Sequence, residues 1–311
     1  MSAVRVATRA SLLARTQSGI VADALRARLD REVVLVEVST RGDVDQTTPL
    51  ASFGGVGVFV SAVRDAVLRG DADVAVHSLK DLPTAPAEGL RLAAVPPRED
   101  ARDVLVARDG GTVATLPAGA SVGTGSPRRA AQLRALRPDL HVVPVRGNVD
   151  TRVRKVVDGE LDAVVLAHAG LARLDRLDAV TEVLETDQML PAPGQGALAV
   201  ECRDVEDDAA LLDALRDLDD DATRVAVTAE RSLLAALEAG CSAPVGAHAT
   251  VSGAPGEAVV HLTGAVVSDD GRVQVRKSVT GPAGDAEQVG RSLAADLLAA
   301  GAPGLVNGTR P

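Results

Sequence analysis

Arginine recurs in five short motifs along the chain: ATRAS (7–11), TRGD (40–43), GTGSPRR (123–129), RGNVDTR (146–152) and AGLARL (169–174). Each sits at a junction between a strand-like run and a helix-like run. A planar guanidinium matches a carboxylate through two parallel hydrogen bonds, and a helix N-terminus adds unpaired N–H groups and partial positive charge. The chemistry is recognition of a polyanion, in particular a polycarboxylate. One such arginine is more often solvated or paired with one of the 43 acidic residues. Five at equivalent junctions weaken that reading. In GTGSPRR, Gly125 permits close backbone approach, Ser126 suits an N-cap and Pro127 the first helical position, so Arg128 and Arg129 open a helix beside the bound anion.

Three other segments carry groups that could react. HSLKDLPT (77–84) places Lys80 and Asp81 at the end of the apolar run ADVAVHS. A carboxylate there can stabilise a cationic intermediate or pass a proton; a surface Lys-Asp turn before Pro83 fits equally well. His77 suits a buried, hydrogen-bonded role better than a catalytic one, and no ligand pattern for a metal is present. Cys241 lies in EAGCSAPVGA, a Gly/Ala/Pro loop after a helix, where a thiol is either incidental or reactive. Cys202, within ALAVEC, reads as a small structural side chain. GGVGVF (54–59) is glycine-rich but lacks the lysine of a phosphate-binding loop and the dinucleotide fingerprint, and is expected to be a flexible lid.

The elements that must hold these residues alternate. VRVATR, SLLARTQSGIVADALRARL, VVLVEVST, SAVRDAVLRG and ADVAVHS read as strand, helix, strand, helix and strand, with Gly70 as the C′ residue of the second helix. A second such set runs from RDVLVAR through the LDAVVLA strand. AVPPRED (94–100) and MLPAPGQG (189–196) are expected hinge crossings, after which ALAVECRD returns the chain to the first domain. From about residue 219 a long helix, three strand-like runs and a final helix form an α+β unit. The expected fold is α/β: two similar domains with a two-segment hinge, like periplasmic binding proteins, plus a small α+β C-terminal domain. The boundaries are 1–97 with 197–216, then 101–191, then 219–311.

At 311 residues the chain exceeds what one core supports, and 46% hydrophobic residues with 24% charged describe a folded protein. A net charge of −10 argues against a nucleic-acid surface or an anionic membrane, so an anionic ligand needs local positive charge. With no Trp or Tyr and only Phe53 and Phe59, a base-stacking platform is absent. No segment has the apolar length of a membrane span, the N-terminus lacks a signal-peptide pattern, and two cysteines are too few for a secreted scaffold; the cytoplasm is expected.

In order and spacing, ATRASLLARTQ, TRGD, GGVGVF, HSLKDLPT, REDARDVLV, VGTGSPRRAAQL, RGNVDTRVRK, LDAVVLAHAGLARL, LPAPGQGALAVECR and AERSLLAALEAGCSAPVGA resemble the hydroxymethylbilane synthase (porphobilinogen deaminase) family. The likeness is loose only after residue 250. It implies a transferase of tetrapyrrole and haem biosynthesis that condenses four porphobilinogens head to tail, with loss of ammonia, and releases hydroxymethylbilane by hydrolysis. It implies a dipyrromethane cofactor joined to Cys241 by a thioether, and Asp81 as the catalytic carboxylate that holds the cationic intermediate. Lys80, Asp81, Ser126, Arg128 and Arg129 match cofactor-binding positions; Arg9, Ser11, Gln17, Arg146, Arg152 and Arg173 match positions lining substrate and growing chain. No metal, nucleic acid or membrane is implied. A monomer is expected, with transient hand-over of product to uroporphyrinogen III synthase.

Two departures from the family pattern stand out: Val56 where the mobile loop commonly has lysine, and GTGSPRR in place of a Ser-Ser-Leu-Arg-Arg run. Neither touches Asp81 or Cys241. A bilobal binding protein for a small anion would use the same two α/β domains but would need neither of those residues. A nucleotide-dependent enzyme would need a phosphate-binding motif the chain does not have.

Overall fold

The structure is a computed structural model that describes residues 2–38, 60–205, 207–238, 243–254 and 256–302. TRGD (40–43), the glycine loop 54–59 with Val56, and Cys241 lie outside the described residues.

The chain begins β1 (Val4–Arg9), α1 (Leu12–Arg26), β2 (Val33–Val38), α2 (Ser61–Leu68), β3 (Val74–Ser78) and β4 (Leu90–Ala94), with a 3-10 turn at Leu79–Asp81 between the last two. It continues β5 (Asp103–Ala107), β6 (Ser121–Thr124), α3 (Pro127–Leu136), β7 (His141–Pro144), α4 (Val149–Val157), β8 (Ala163–Ala167), α5 (His168–Arg173) and β9 (Glu182–Leu184). Then follow β10 (Leu198–Arg203), α6 (Ala209–Arg216), α7 (Asp221–Ala236), β11 (Val245–Ser252), β12 (Val259–Val267), β13 (Gln274–Pro282) and α8 (Ala286–Ala299). The chain groups into two compact units, Met1–Glu99 with Ala197–Arg224, and Asp100–Gly196 with Val225–Pro311.

The first unit is built on a five-stranded sheet ordered β2-β1-β3-β10-β4. β1 pairs in parallel with β2 and β3, while β10 runs antiparallel to β3 and β4. The helices cover it because their apolar residues recur on one face. Val21, Ala22 and Leu25 of α1 are buried with Val4, Val6, Val74, Val200, Cys202, Leu211 and Leu215 in one core. Cys202 is a small core side chain, as its apolar strand suggests. Gly70 follows α2 with φ +78°, the left-handed conformation that ends a helix at little steric cost only for glycine.

In the second unit a sheet ordered β7-β6-β8-β5-β9 has β6 parallel to β7 and β8, with β5 antiparallel to β8 and β9. Its strands are apolar on both faces because cores lie on both sides: Leu105, Val122, Leu133 and Val165 on one, Val104, Val153, Val164 and Leu171 on the other. The same unit holds the antiparallel sheet β11-β12-β13, whose core takes Leu233 of α7 and Leu293 and Leu297 of α8. The fold is thus α/β with a C-terminal α+β part. β4 and β9, not anticipated from the sequence, each form one edge of their sheet.

The crossing segment 189–196 is tied down within the second unit. Ala247 N donates to Pro191 O at 2.9 Å. Fully buried Glu230 on α7 accepts from Gly194 N at 2.7 Å and from Ala249 N at 2.8 Å.

Candidate anion and catalytic site

In the second unit the turn from β6 into α3 places two arginines around one carboxylate. Ser126 caps α3 with its side chain accepting from Arg129 N, and Pro127 occupies the first turn, as the sequence predicts. The two following arginines therefore leave the helix together and point back to Asp103, the first residue of β5. Arg128 Nη1 donates to Asp103 Oδ2 at 2.7 Å and also to Leu190 O. Arg129 reaches Oδ1 from Nε at 3.0 Å and from Nη2 at 2.8 Å, and donates from Nη1 to Val165 O at 3.2 Å. Asp103, Arg128 and Arg129 are all buried. Burial would raise the Asp103 carboxyl; Arg128, Arg129 and the donor on Gln195 hold it far below the ordinary carboxylate range.

Arg152 comes to this group from α4. Asn148 caps that helix, accepting from Thr151 N at 2.8 Å, and Arg152 Nε donates to Gly147 O at 2.9 Å. Gly125 lets the Val145 carbonyl approach closely, since a Cβ there would lie 2.8 Å from Val145 O, and Arg152 Nη2 lies beside the same position, 3.7 Å from where that Cβ would be. Arg152 forms no ion pair with a described residue. Burial, and then the nearby charge of Arg129, push it down to about 10. Arg128 and Arg129 thus share one carboxylate while a third cation, Arg152, lies close enough to Arg129 to feel its charge, and Arg128 Nε is buried with no hydrogen-bond partner among the described residues. A further anion, such as a carboxylate, has the right chemistry to satisfy these groups.

Gln195 and Gln132 complete the frame. Gln195 Nε2 donates to Ala101 O at 2.7 Å and to Asp103 Oδ1 at 2.8 Å. Gln132 exchanges hydrogen bonds with the backbone of Leu190, accepting from its N at 2.8 Å and donating to its O at 3.0 Å. Sequence reasoning missed both glutamines and Asp103. The available signals were a polar residue inside GQG and an aspartate opening the apolar run DVLVA. In the same unit Arg146 is exposed after β7, and Arg173 closes α5, donating to Gly196 O at 2.6 Å.

The first unit holds the remaining sequence-predicted residues. Arg9 ends β1, and Ser11 caps α1 by accepting from Ala14 N. Gln17 is buried, and its Nε2 donates to Ser78 Oγ at 2.9 Å, so it braces the end of β3. Leu79 N donates to Ala197 O at 3.0 Å, and the 3-10 turn then presents half-buried Lys80 and exposed Asp81. Asp81 makes no hydrogen bond or ion pair with a described residue, so its carboxylate is open to a ligand. His77 is buried, and its neighbour is Glu201 of β10, a residue the sequence reading did not single out. Among the described residues, no group of three or more His, Cys, Asp or Glu is placed to hold a metal, and no helix is long and apolar enough to cross a membrane.

Comparison with known proteins matches residues 4–212 to the family model "porphobilinogen deaminase, dipyromethane cofactor binding domain" and residues 224–299 to the porphobilinogen deaminase C-terminal domain. Porphobilinogen deaminase 1 of Streptomyces coelicolor is 57% identical, covering 98% of this chain and 97% of the relative. Porphobilinogen deaminase of Mycobacterium tuberculosis is 54% identical over 99% of both chains. Among solved structures, the periplasmic VFT2 domain of Bordetella pertussis BvgS superposes with TM-score 0.40 at 18% identity, covering 70% of this chain and 86% of that one. A Salmonella typhimurium periplasmic binding protein described for high arginine specificity gives TM-score 0.40 at 15% identity, with 70% and 92% covered.

Proposed function

The chain belongs to the porphobilinogen deaminase family, and on that premise we propose which of its residues carry the reaction. Its activity is that of a hydroxymethylbilane synthase: four porphobilinogens are condensed head to tail with loss of ammonia on a dipyrromethane primer, and the product is released by hydrolysis. When bound, the primer supplies the pyrrole carbon that attacks the methylene carbon of each incoming unit.

In our reading Cys241 carries the primer through a thioether, and Ser126, Arg128, Arg129 and Lys80 hold it. The observation that supports this is the charge imbalance at this site, where Arg128 and Arg129 share the Asp103 carboxylate and Arg152, near Arg129, forms no ion pair with a described residue. The acetate and propionate of each pyrrole supply the missing acceptors, and a buried guanidinium gains more from such a pair than an exposed one. Arg152, matched to a chain-lining position, adds the third cation of the same group. Arg9, Ser11, Arg146 and Arg173 take carboxylates of substrate and growing chain; Gln17 acts on that region through its hold on Ser78.

Asp81 is the catalytic carboxylate. It accepts a hydrogen bond from the protonated aminomethyl nitrogen of the substrate, which already carries the three hydrogens that leave as ammonia. As the carbon–nitrogen bond breaks and ammonia leaves with the bonding pair, it stabilises the positive charge that develops on the substrate. A fixed anion lowers the barrier to the extent that it stabilises the positive charge moving from the nitrogen onto the pyrrole more than it stabilises the bound ground state. The reading also takes the protein to work as a cytoplasmic monomer and to pass its product to uroporphyrinogen III synthase.

Intact-protein mass spectrometry with peptide mapping tests the assignment. Protein from cells that make porphobilinogen is expected to carry two linked pyrrole units on the Cys241 peptide. Cys202→Ala is expected to retain that mass and Cys241→Ala to lose it. A Cys241 that stays unmodified after incubation with porphobilinogen would sink the assignment.

A further inference from the structure

A second buried ion cluster, separate from the arginines around Asp103, lies beside the end of β3. Glu201 is the fourth residue of β10, flanked by Val200 and Cys202, and is only 4% exposed. Arg64 of α2 grips it with a fork of two hydrogen bonds, Nε to Oε2 at 2.8 Å and Nη2 to Oε1 at 2.7 Å. On its other side His77 Nε2 lies 3.3 Å from Oε2, in ion-pair range but off the line of a hydrogen bond. The strand register explains the meeting. Ala199 stands opposite His77 and Glu201 opposite Ala75, so His77 and Glu201 are diagonal neighbours on one face of the sheet.

A carboxylate in such surroundings has to be compensated, and an apolar trio of the same volume would pack there at no such cost. What the ions add is direction. The Arg64 fork fixes the Glu201 carboxylate, which faces the histidine that precedes Ser78 and the Leu79–Asp81 turn. The hydrogen bonds Gln17–Ser78 and Leu79–Ala197 hold the same stretch from two other sides. Asp81 itself has no described partner, so its position depends on how firmly this strand end is held.

We propose that Glu201 is a positioning residue for Asp81, acting through His77 and the end of β3 with Arg64 as its fixed counter-ion. The proposal rests on the reading of Asp81 as the catalytic carboxylate. Displacing a catalytic group by about 1 Å costs on the order of 100-fold in rate, so small losses of order at this strand end reach the chemistry.

The test compares Glu201→Gln, which keeps shape and removes charge, with Glu201→Asp, which keeps charge and withdraws it by a methylene. Asp81→Asn serves as reference. Rates are expressed per chain carrying covalent primer, counted by intact mass, with urea midpoints measured in parallel. Expected is a fall in kcat of about ten-fold for Glu201→Gln and a smaller fall for Glu201→Asp, with KM for porphobilinogen within about two-fold and normal primer mass.

Unchanged kcat per loaded chain in whichever variant folds overturns the proposal even if the urea midpoint drops, because a purely structural ion pair behaves that way. A loss carried by KM alone overturns it too, as does a folded variant that carries no primer. Normal turnover by Asp81→Asn would instead remove the assignment of Asp81. A dead Asp81→Asn beside unaffected Glu201 variants removes this inference only.

Discussion

Gln195 Nε2 donates to Asp103 Oδ1 at 2.8 Å, the same oxygen that Arg129 grips, so an uncharged amide from the 189–196 crossing helps to hold the carboxylate that Arg128 and Arg129 share. Asp103 is thereby saturated, with Arg128 on its other oxygen. It neutralises one of the two arginines bonded to it, and Arg152, which forms no ion pair with a described residue, is left available for an incoming carboxylate.

Removing that carboxylate should be more damaging than removing either arginine. Asp103→Asn leaves Arg128 and Arg129 buried side by side without a counter-charge, the kind of change that costs about 3–5 kcal/mol. The expected outcome is a large drop in the urea midpoint and protein without covalent primer. Equilibrium unfolding and intact mass measure the two effects.

Asp81→Asn should behave oppositely. The side chain is exposed and has no described partner, so stability should stay within about 0.5 kcal/mol of the parent. Turnover should fall by roughly 100-fold to 10,000-fold. Near-normal kcat in a steady-state assay would take Asp81 out of the mechanism.

Arg152→Leu should separate binding from folding. Burial and the charge of Arg129 disfavour the Arg152 cation in the absence of ligand. Its removal should therefore leave the protein at least as stable. Losing a charged hydrogen-bond donor to a carboxylate should weaken porphobilinogen binding by about ten-fold or more. The readouts are thermal midpoint and KM, moving independently.

Acid should destabilise the first unit through Glu201. Burial works against its charged form, but His77 and Arg64 outweigh it and hold the carboxyl down to about 2 against an ordinary value of 4.5. A depressed folded-state value means the stabilisation is complete above the unfolded value and is lost as pH falls from there through the folded one. Urea midpoints measured from pH 5 downwards should fall for the parent, and less steeply for Glu201→Gln.

Much of this was legible in the sequence because the signals were local. Ser126, Pro127 and the two arginines after them encode a cap, a first turn and the direction of two side chains within four residues. Gly70 ends α2 because the chain must turn left-handed there. β4 and β9 were not legible: LRLAA and EVL are short edge strands, partly exposed, without the apolar run or strict alternation that marks a strand. The partners Asp103, Gln195 and Glu201 were missed for a different reason. Each is a single polar residue in an apolar or glycine-rich stretch, and its role depends on residues 25 to 137 positions away.

By itself the sequence determined the α/β grammar, the family, and the residue types that meet carboxylates and developing positive charge, since periodicity, capping and motif spacing all act over short stretches of chain. Only the tertiary structure decided which of those charges are neutralised. Strand order brings Asp103 under Arg128 and Arg129, and Arg152 has no acidic partner among the described residues; the β3–β10 register sets His77 beside Glu201. A buried charge is governed by whichever group packing places within hydrogen-bonding distance, and that proximity is a property of the folded chain.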